Sequence, residues 1–425
     1  MSPQRIAWLV MHPAVRFNYG ENEMSTVDSP EEQRHLHAEV PFVDLKGSAR
    51  LLGPAFLREL ESLMEEGSFV NGPYVEAFER DFASACGRSH CVGVASGLDA
   101  LRLGLIALGL KPGDEVIVPA MTFAATAEVV RYFDAIPVIV DVLRADHNID
   151  PSAVERAITA RTKAIIPVHF AGSPCDMETI SALAASHGIP VVDDAAHAFP
   201  ASRRGKQVGT LADITCFSFY ATKTITTAEG GAAVTARKDW ADRMQVMSLH
   251  GISRNAWKRY TAEGNWFYEV VAPGFKYNLT DVASAIGLGQ LSRATCMRGR
   301  RASMAARYDE AFGGQEALEL IGRDPRDEHA HHLYVIKLRP GVLSIDRARC
   351  IEELKRVGIG TSVHFIPLHV HPYYREQFGY SPGDLPVALD LYERSISLPL
   401  YSRMTDRDVE RVVESVLQLV STHSR

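Results

Sequence analysis

Residues 115–142 read EVIVPAMTFAATAEVVRYFDAIPVIVDV. Two short β-rich runs, 115–120 and 136–142, flank a stretch around 126–133 whose apolar residues recur at helical spacing. Strand runs this apolar, joined by a helix, are typical of parallel strands that are buried on both faces. The stretch therefore predicts a strand–helix–strand unit of an α/β domain.

The same alternation extends along the chain in both directions. Further β-rich runs are HCVGVASG (90–97), KAIIPVHF (163–170) and IPVVDDAA (189–196), with helical runs between them. After Gly209 the rhythm changes to two strands close in sequence, DITCFSFY and GGAAVTA, and a mixed unit begins near Arg298. At this length two domains are expected. We predict a poorly ordered extension (1–40), a large domain (41–297) and a small C-terminal domain (298–425).

Composition limits the kind of partner. The net charge of −7 gives no general basic footprint, which argues against nucleic acid. No apolar run approaches the roughly 20 residues that cross a bilayer, so no membrane partner is expected. The six cysteines are scattered with no C-x-x-C pair, which favours reduced thiols in a cytoplasmic enzyme over disulfides or a zinc site.

Three polar features fall at predicted strand ends, where sheets of this kind bind ligands. One strand passes through Ser96 and Gly97 into a helix, and so presents free backbone N–H groups to an anion. A second ends in Asp193 and Asp194, and a third leads to Lys223. The chain contains neither G-x-x-x-x-G-K-[ST] nor G-x-G-x-x-G, which disfavours ATP and dinucleotide sites.

These features together match the needs of pyridoxal 5′-phosphate (PLP). That cofactor requires a lysine for its imine, a carboxylate on its pyridine nitrogen, and N–H and hydroxyl donors for its phosphate. Lys223 lies in the weakly charged stretch CFSFYATKTITTAEGG (216–231), with Ser218 five residues before it. Two acids in an apolar strand need partners. We interpret one as a helix N-cap or surface residue and the other as the acid of the cleft.

With these motifs the chain resembles the DegT/DnrJ/EryC1/StrS aminotransferases, fold-type I PLP enzymes that act on nucleotide-linked keto sugars. The likeness runs from VPFVDLKGSAR (40–50) to SISLPLYSRMTDRDVERVVESVL (395–417). It implies a large domain with a mostly parallel seven-stranded sheet and a smaller C-terminal α+β domain. It also implies a homodimer whose active sites are shared between subunits.

The resemblance assigns roles to single positions. Lys223 matches the Schiff-base lysine, and Asp194 matches the acid on the pyridine nitrogen. His197 matches the residue near the cofactor's O3′ face, Ser218 the serine that donates to the phosphate, and Phe123 the aromatic residue stacked on the ring.

Three further positions concern the phosphate. Gly97 and Leu98 match the G-T of the family's NGTDAL motif. Leucine replaces the threonine, so only a backbone contact carries over there. Asn278 matches an asparagine that crosses to the partner subunit's phosphate.

Two segments are candidates for binding the substrate. The basic segment SRNAWKRY, with Arg254, Lys258 and Arg259, is either a contact to the nucleotide diphosphate or a solvated loop. His364 and His369 lie in VHFIPLHVHPYYRE, which resembles the loop that flanks the sugar-nucleotide pocket. No acid–histidine spacing matches a helical zinc site, so no metal is predicted.

For the reaction, the resemblance implies a glutamate donor, release of 2-oxoglutarate and a pyridoxamine 5′-phosphate form of the cofactor. Residues 217–231 and 250–281 look most like enzymes that make 4-amino-4-deoxy sugars, which favours a dTDP- or UDP-linked 4-keto-6-deoxy sugar as acceptor. A 3-keto sugar nucleotide or a cyclitol (inosose) stays open. The family's dehydrating members carry histidine in place of Lys223, and a non-catalytic regulatory protein would be expected to lose Lys223 or Asp194.

Overall fold

The computed structural model describes residues 39–50, 53–253 and 268–425. Most of the predicted extension therefore lies outside the described residues, and so does the whole basic segment at 254–259. The predicted domain boundaries stay predictions.

The described strands are β1 (His90–Val94), β2 (Glu115–Pro119), β3 (Ile136–Val140), β4 (Thr162–Ile165), β5 (Val192–Asp194), β6 (Ser202–Arg203), β7 (Lys206–Gln207), β8 (Ile214–Ser218), β9 (Gly231–Thr235), β10 (Leu318–Leu320), β11 (Tyr334–Leu338) and β12 (Ser395–Leu398).

The described α-helices are α1 (Leu45–Arg50), α2 (Gly53–Glu66), α3 (Pro73–Ala85), α4 (Gly97–Ala107), α5 (Ala125–Arg131), α6 (Pro151–Ala157), α7 (Met177–Ser186), α8 (Lys238–Ser248), α9 (Asp281–Leu291), α10 (Ala294–Phe312), α11 (Arg347–Arg356), α12 (Pro372–Phe378), α13 (Pro386–Arg394) and α14 (Asp406–His423).

Seven strands form the large sheet, in the order β3-β2-β4-β5-β8-β9-β1. The three-stranded part β3-β2-β4 joins the four-stranded part β1-β9-β8-β5 through parallel bridges from Ile165 to Val191 and from Val168 to Asp194. All neighbours run parallel except β9, which is antiparallel to both β1 and β8. The predicted mostly parallel seven-stranded sheet is therefore confirmed.

Buried apolar strands hold this sheet between helices. The side chains of β2 are buried along its whole length, which explains the continuous apolar sequence there. Helix α4 packs against β8 and β9 and begins at Ser96, whose hydroxyl accepts a hydrogen bond from the Asp99 N–H at 3.1 Å. The N-terminus of α4 is thereby fixed at the edge of the sheet where β1 ends.

A second hydrophobic core lies in the C-terminal part of the chain. The antiparallel sheet β10-β11-β12 packs there with α10, α11 and α14 around Tyr308 and Phe312, which are fully buried. Val40 also belongs to this core and pairs with Ile359. The first described residues therefore pack with the C-terminal α+β unit.

Candidate active site

Three backbone segments meet tightly where β1, β8 and β9 come together. A Cβ at Gly97 would lie 2.7 Å from Ser218 Cβ, and a Cβ at Gly231 would lie 2.3 Å from the Ser96 carbonyl oxygen. Neither position has room for a side chain. The structure thus brings Gly97 and Ser218 together at the N-terminus of α4, whose free N–H groups and dipole favour an anion.

Asp194 ends β5 in the middle of this edge and is largely buried. Its Oδ1 accepts a hydrogen bond from the Ala196 N–H at 3.1 Å, and its Oδ2 accepts one from Thr126 Oγ1 at 2.8 Å. The pKa of this carboxyl is raised above its usual value, because burial outweighs the two hydrogen bonds and the positive charge of Lys223, which lower it. The two donors thus oppose the effect of burial and favour the ionised form.

Asp193 has a different environment from Asp194. Its Oδ2 lies 3.0 Å from His169 Nε2, and both side chains are fully buried. The Cys175 N–H donates to His169 Nδ1 at 3.0 Å, so the ring proton sits on Nε2 and is donated to Asp193. The expectation that the second acid is a helix N-cap or surface residue is wrong. Because an apolar interior penalises an unpaired charge, a buried histidine supplies the partner.

Lys223 projects from the loop between β8 and β9 and is mostly buried. Burial lowers the pKa of its amine from 10.5 to about 8, although the Asp194 charge acts in the opposite direction. Within the described residues, no oxygen accepts a hydrogen bond from Nζ. The amine is thus unbonded and titrates close to neutral pH.

The positive charge of Lys223 acts on three imidazoles, those of His197, His332 and His364. Burial lowers the pKa of His197 and of His332 well below the usual range, and the Lys223 charge adds to the effect. Burial lowers the pKa of His364 to about 4. All three rings are therefore neutral at pH 7 and leave Lys223 without a competing cation among them.

His197 faces the interior of the site. Its ring centroid lies 4.2 Å from that of His332 and 5.8 Å from that of Phe365, with which it is stacked. Its Nδ1 is buried and has no hydrogen-bond partner within the described part of the chain. His332 was not predicted from the sequence. The apolar run that follows it, which forms β11, was the available signal.

Phe123 and Leu98 lie on the rim. The Phe123 side chain is 64% exposed, and its ring centroid lies 6.3 Å from that of Phe365. One face of the ring is therefore free to stack. Leu98 is half-buried and packs against the main core, in keeping with a backbone role only.

Asn278 lies beside its own β1. Its backbone forms a bridge to Val94, its Oδ1 accepts a hydrogen bond from Lys276 Nζ, and its Nδ2 donates to the Leu279 carbonyl oxygen at 3.1 Å. The residue is close to the end of β1 that leads to Ser96 and Gly97, and its contact with a partner's phosphate stays a prediction.

The predicted substrate contacts are placed unevenly. His364 faces the site, with its Nδ1 2.9 Å from Ser397 Oγ. His369 is fully buried, with its Nε2 3.1 Å from the Pro382 carbonyl oxygen, so the structure does not bring it to the pocket. Arg254, Lys258 and Arg259 lie outside the described residues.

These residues fit a bound PLP. Ser96, Gly97, Ser218 and Gly231 form a phosphate cradle, in which a Cβ at either glycine would occupy the space. The Lys223 amine, unbonded and partly neutral, suits the imine. The unpartnered His197 Nδ1 offers a further polar atom. The sheet and this set of groups together define a PLP-dependent transferase of fold type I.

Comparisons with known proteins lead to the same class of enzyme. The model of the DegT/DnrJ/EryC1/StrS aminotransferase family matches residues 51–417. The spore coat polysaccharide biosynthesis protein SpsC of Bacillus subtilis is 45% identical over 376 residues, which cover 88% of this chain and 96% of SpsC. The chain belongs to the DegT/DnrJ/EryC1/StrS aminotransferase family.

Two solved structures are similar over most of the chain. S. venezuelae DesV in complex with a ketimine intermediate has a TM-score of 0.83 and 32% identity, and covers 90% of this chain and 98% of its own. Spr1654 of Streptococcus pneumoniae in its PLP form has a TM-score of 0.82 and 31% identity, with coverages of 90% and 99%. The chain is thus a sugar aminotransferase that uses PLP and its pyridoxamine form.

None of the described helices combines the length and apolar character of a membrane span. In the same residues, no group of three or more His, Cys, Asp or Glu side chains is arranged to hold a metal ion.

Proposed function

We propose that the chain transfers an amino group from glutamate to a dTDP- or UDP-linked 4-keto-6-deoxy sugar and so forms a 4-amino sugar nucleotide. The observation that carries the proposal is the Lys223 amine, with a pKa of about 8 between one carboxylate and three neutral imidazoles. A group that titrates near the working pH both accepts and donates a proton efficiently. Transamination needs both steps at one position.

Each residue then has a distinct task. Bound PLP supplies an electron sink for the carbon that loses a proton. Asp194 holds the proton on the ring nitrogen, and Ser218 with the Gly97 N–H binds the phosphate. Lys223 Nζ would accept the proton that the substrate carbon loses and would return a proton in the second half of the reaction. Because the three imidazoles are neutral, they add no positive charge that would lower the pKa of Lys223 further.

The acceptor is proposed from the segments around the lysine. Residues 217–231 and 250–281 resemble those of enzymes that make 4-amino-4-deoxy sugars, and the relative SpsC is named for polysaccharide biosynthesis. The proposal includes a cytoplasmic location, which the six free cysteines support.

We also propose a homodimer in which each subunit completes the other's site. Apolar side chains are exposed beside the cradle, among them Phe69, Val70 and Tyr220. Val70 pairs with Thr280, two residues beyond Asn278, so this apolar strip adjoins the residue predicted to reach across. A second copy of the chain would cover the strip.

An absorption spectrum and a product analysis test the proposal. The purified protein should carry a visible PLP band that glutamate bleaches, and Lys223→Ala should lack it. Lys111→Ala, at an exposed lysine, is the matched control and should keep the band. NMR of products from 4-keto and 3-keto sugar nucleotides and an inosose should show nitrogen at C4 of the first. A colourless protein that takes up no PLP would contradict the enzymatic proposal, and amination of only a 3-keto sugar or an inosose would contradict the acceptor.

A further inference from the structure

Two threonines form a hydrogen-bonded chain behind Asp194. Thr126 Oγ1 lies 2.8 Å from Asp194 Oδ2, and Thr122 Oγ1 lies 2.7 Å from Thr126 Oγ1. An ionised carboxylate only accepts, so the Thr126 hydroxyl proton points to Asp194. The Thr126 oxygen must then accept the proton of Thr122. The chain therefore runs in one direction, from Thr122 through Thr126 to Asp194.

A buried threonine near the start of a helix has an ordinary structural explanation. Such hydroxyls often bond a backbone carbonyl in the preceding turn. Thr126 is fully buried in α5, and its hydroxyl bonds the carboxylate and Thr122 instead. The Thr126 hydroxyl thus donates to the Asp194 carboxylate. Valine has almost the same shape but no hydroxyl, so it would remove this donor.

The backbone fixes Asp194 independently of this hydroxyl. The Asp194 N–H donates to the Pro167 carbonyl oxygen at 2.8 Å, and the His169 N–H donates to the Asp194 carbonyl oxygen at 3.2 Å. These bonds place the residue but leave its side-chain charge unaffected. Only the Ala196 N–H and the Thr126 hydroxyl donate to the carboxylate within the described chain.

We propose that Thr126, supported by Thr122, is a positioning residue that keeps Asp194 ionised and oriented toward the cofactor's ring nitrogen. This inference rests on the proposed function, because the ring nitrogen is that of bound PLP. The charged and titratable groups that face Asp194 are Lys223 from the loop between β8 and β9, His169 after β4 and Cys216 on β8, with Asp193 beside it on β5.

The expected effect follows from the loss of one donor. A hydrogen bond to the ionised form favours that form, so its removal raises the pKa of Asp194 further. A more basic carboxylate draws the proton away from the ring nitrogen. The ratio of protonated to unprotonated nitrogen should then fall about tenfold in Thr126→Val.

Nitrogen NMR tests the role of the Thr122–Thr126–Asp194 hydrogen-bonded chain without relying on turnover. Wild type, Thr126→Val, Thr126→Ser and Thr122→Val are loaded with PLP labelled with ¹⁵N in its ring, and the shift is followed between about pH 6 and about pH 9. Thr126→Val should move the shift toward that of an unprotonated ring and weaken PLP binding about tenfold. Thr126→Ser should restore both, and Thr122→Val should change them less, in the same direction.

Each outcome decides between named explanations. If the Thr126→Val protein keeps the wild-type nitrogen shift and PLP affinity, the proposed effect of Thr126 on Asp194 is refuted and Thr126 is only a packing residue. If Thr126→Val does not fold, Thr126→Ala removes the same donor with a smaller side chain and is judged by the same shift. A wild-type protein that binds no PLP would refute the proposed function instead.

Discussion

Replacement of Lys223 by methionine should stabilise the protein without its cofactor. The amine is protonated in the unfolded chain up to a pH near its usual pKa of 10.5, whereas in the folded protein its pKa is about 8. This difference corresponds to about 3 kcal/mol by which the buried charge opposes folding. Methionine has a similar shape and no charge, so it removes that penalty.

The pH dependence has a definite sign. Below about pH 8 the amine is protonated in both states, so the full penalty acts on the wild type. Between about pH 8 and pH 10.5 the unfolded chain keeps a proton that the folded protein has lost, so wild-type stability rises with pH. The advantage of Lys223→Met should therefore be largest at neutral pH and vanish above about pH 10.5.

Urea denaturation of the apo-proteins, followed by circular dichroism at fixed protein concentration, measures this difference. Lys111→Met changes an exposed lysine and is the matched control. It should alter the free energy of unfolding by no more than about 0.5 kcal/mol at any pH. If Lys223→Met is no more stable than wild type at pH 7, or if its advantage is the same at every pH, the buried-charge reasoning is refuted.

Two further predictions concern the cradle and the subunit arrangement. Gly97→Ala should weaken PLP binding by at least about tenfold, because its Cβ would lie 2.7 Å from Ser218 Cβ. Fluorescence titration with PLP measures the affinity. An unchanged affinity would show that the segments around Gly97 and Ser218 separate easily. Lys223→Ala and Asn278→Ala proteins, refolded together, should regain about a quarter of wild-type activity, because one of the two sites in each mixed dimer then holds both native residues. If no activity is recovered, Asn278 does not act in the active site of the other subunit.

The apolar runs of the sequence predicted the sheet well. Runs such as EVIVPA and IPVIVDV are the strands β2 and β3. β2 is buried on both faces, as its continuous apolar sequence predicts, whereas β3 at the sheet edge has partly buried residues on one face. The pattern did not state that β9 runs against its neighbours. Direction depends on where the chain re-enters the sheet, and only the short link after Lys223 hinted at it.

The site was less readable because its contacts are distant in sequence. Lys223 and Asp194 were singled out because charges in apolar segments need a reason. Thr126 carried no such signal, since a threonine in a helix is unremarkable until its hydroxyl is seen 2.8 Å from a carboxylate. Likewise the partner of Asp193 is His169, on a neighbouring segment, and nothing in IPVVDDAA indicates it.

The insertion of β9 between β1 and β8 has a consequence for the order of folding. The two halves of the phosphate cradle, around Ser96 and Ser218, belong to strands β1 and β8, which are not neighbours in the sheet; β9 lies between them and pairs with both. A nascent chain that ends before Thr235 therefore lacks the strand that holds them together. We therefore expect cofactor capture during synthesis to require this late, long-range pairing.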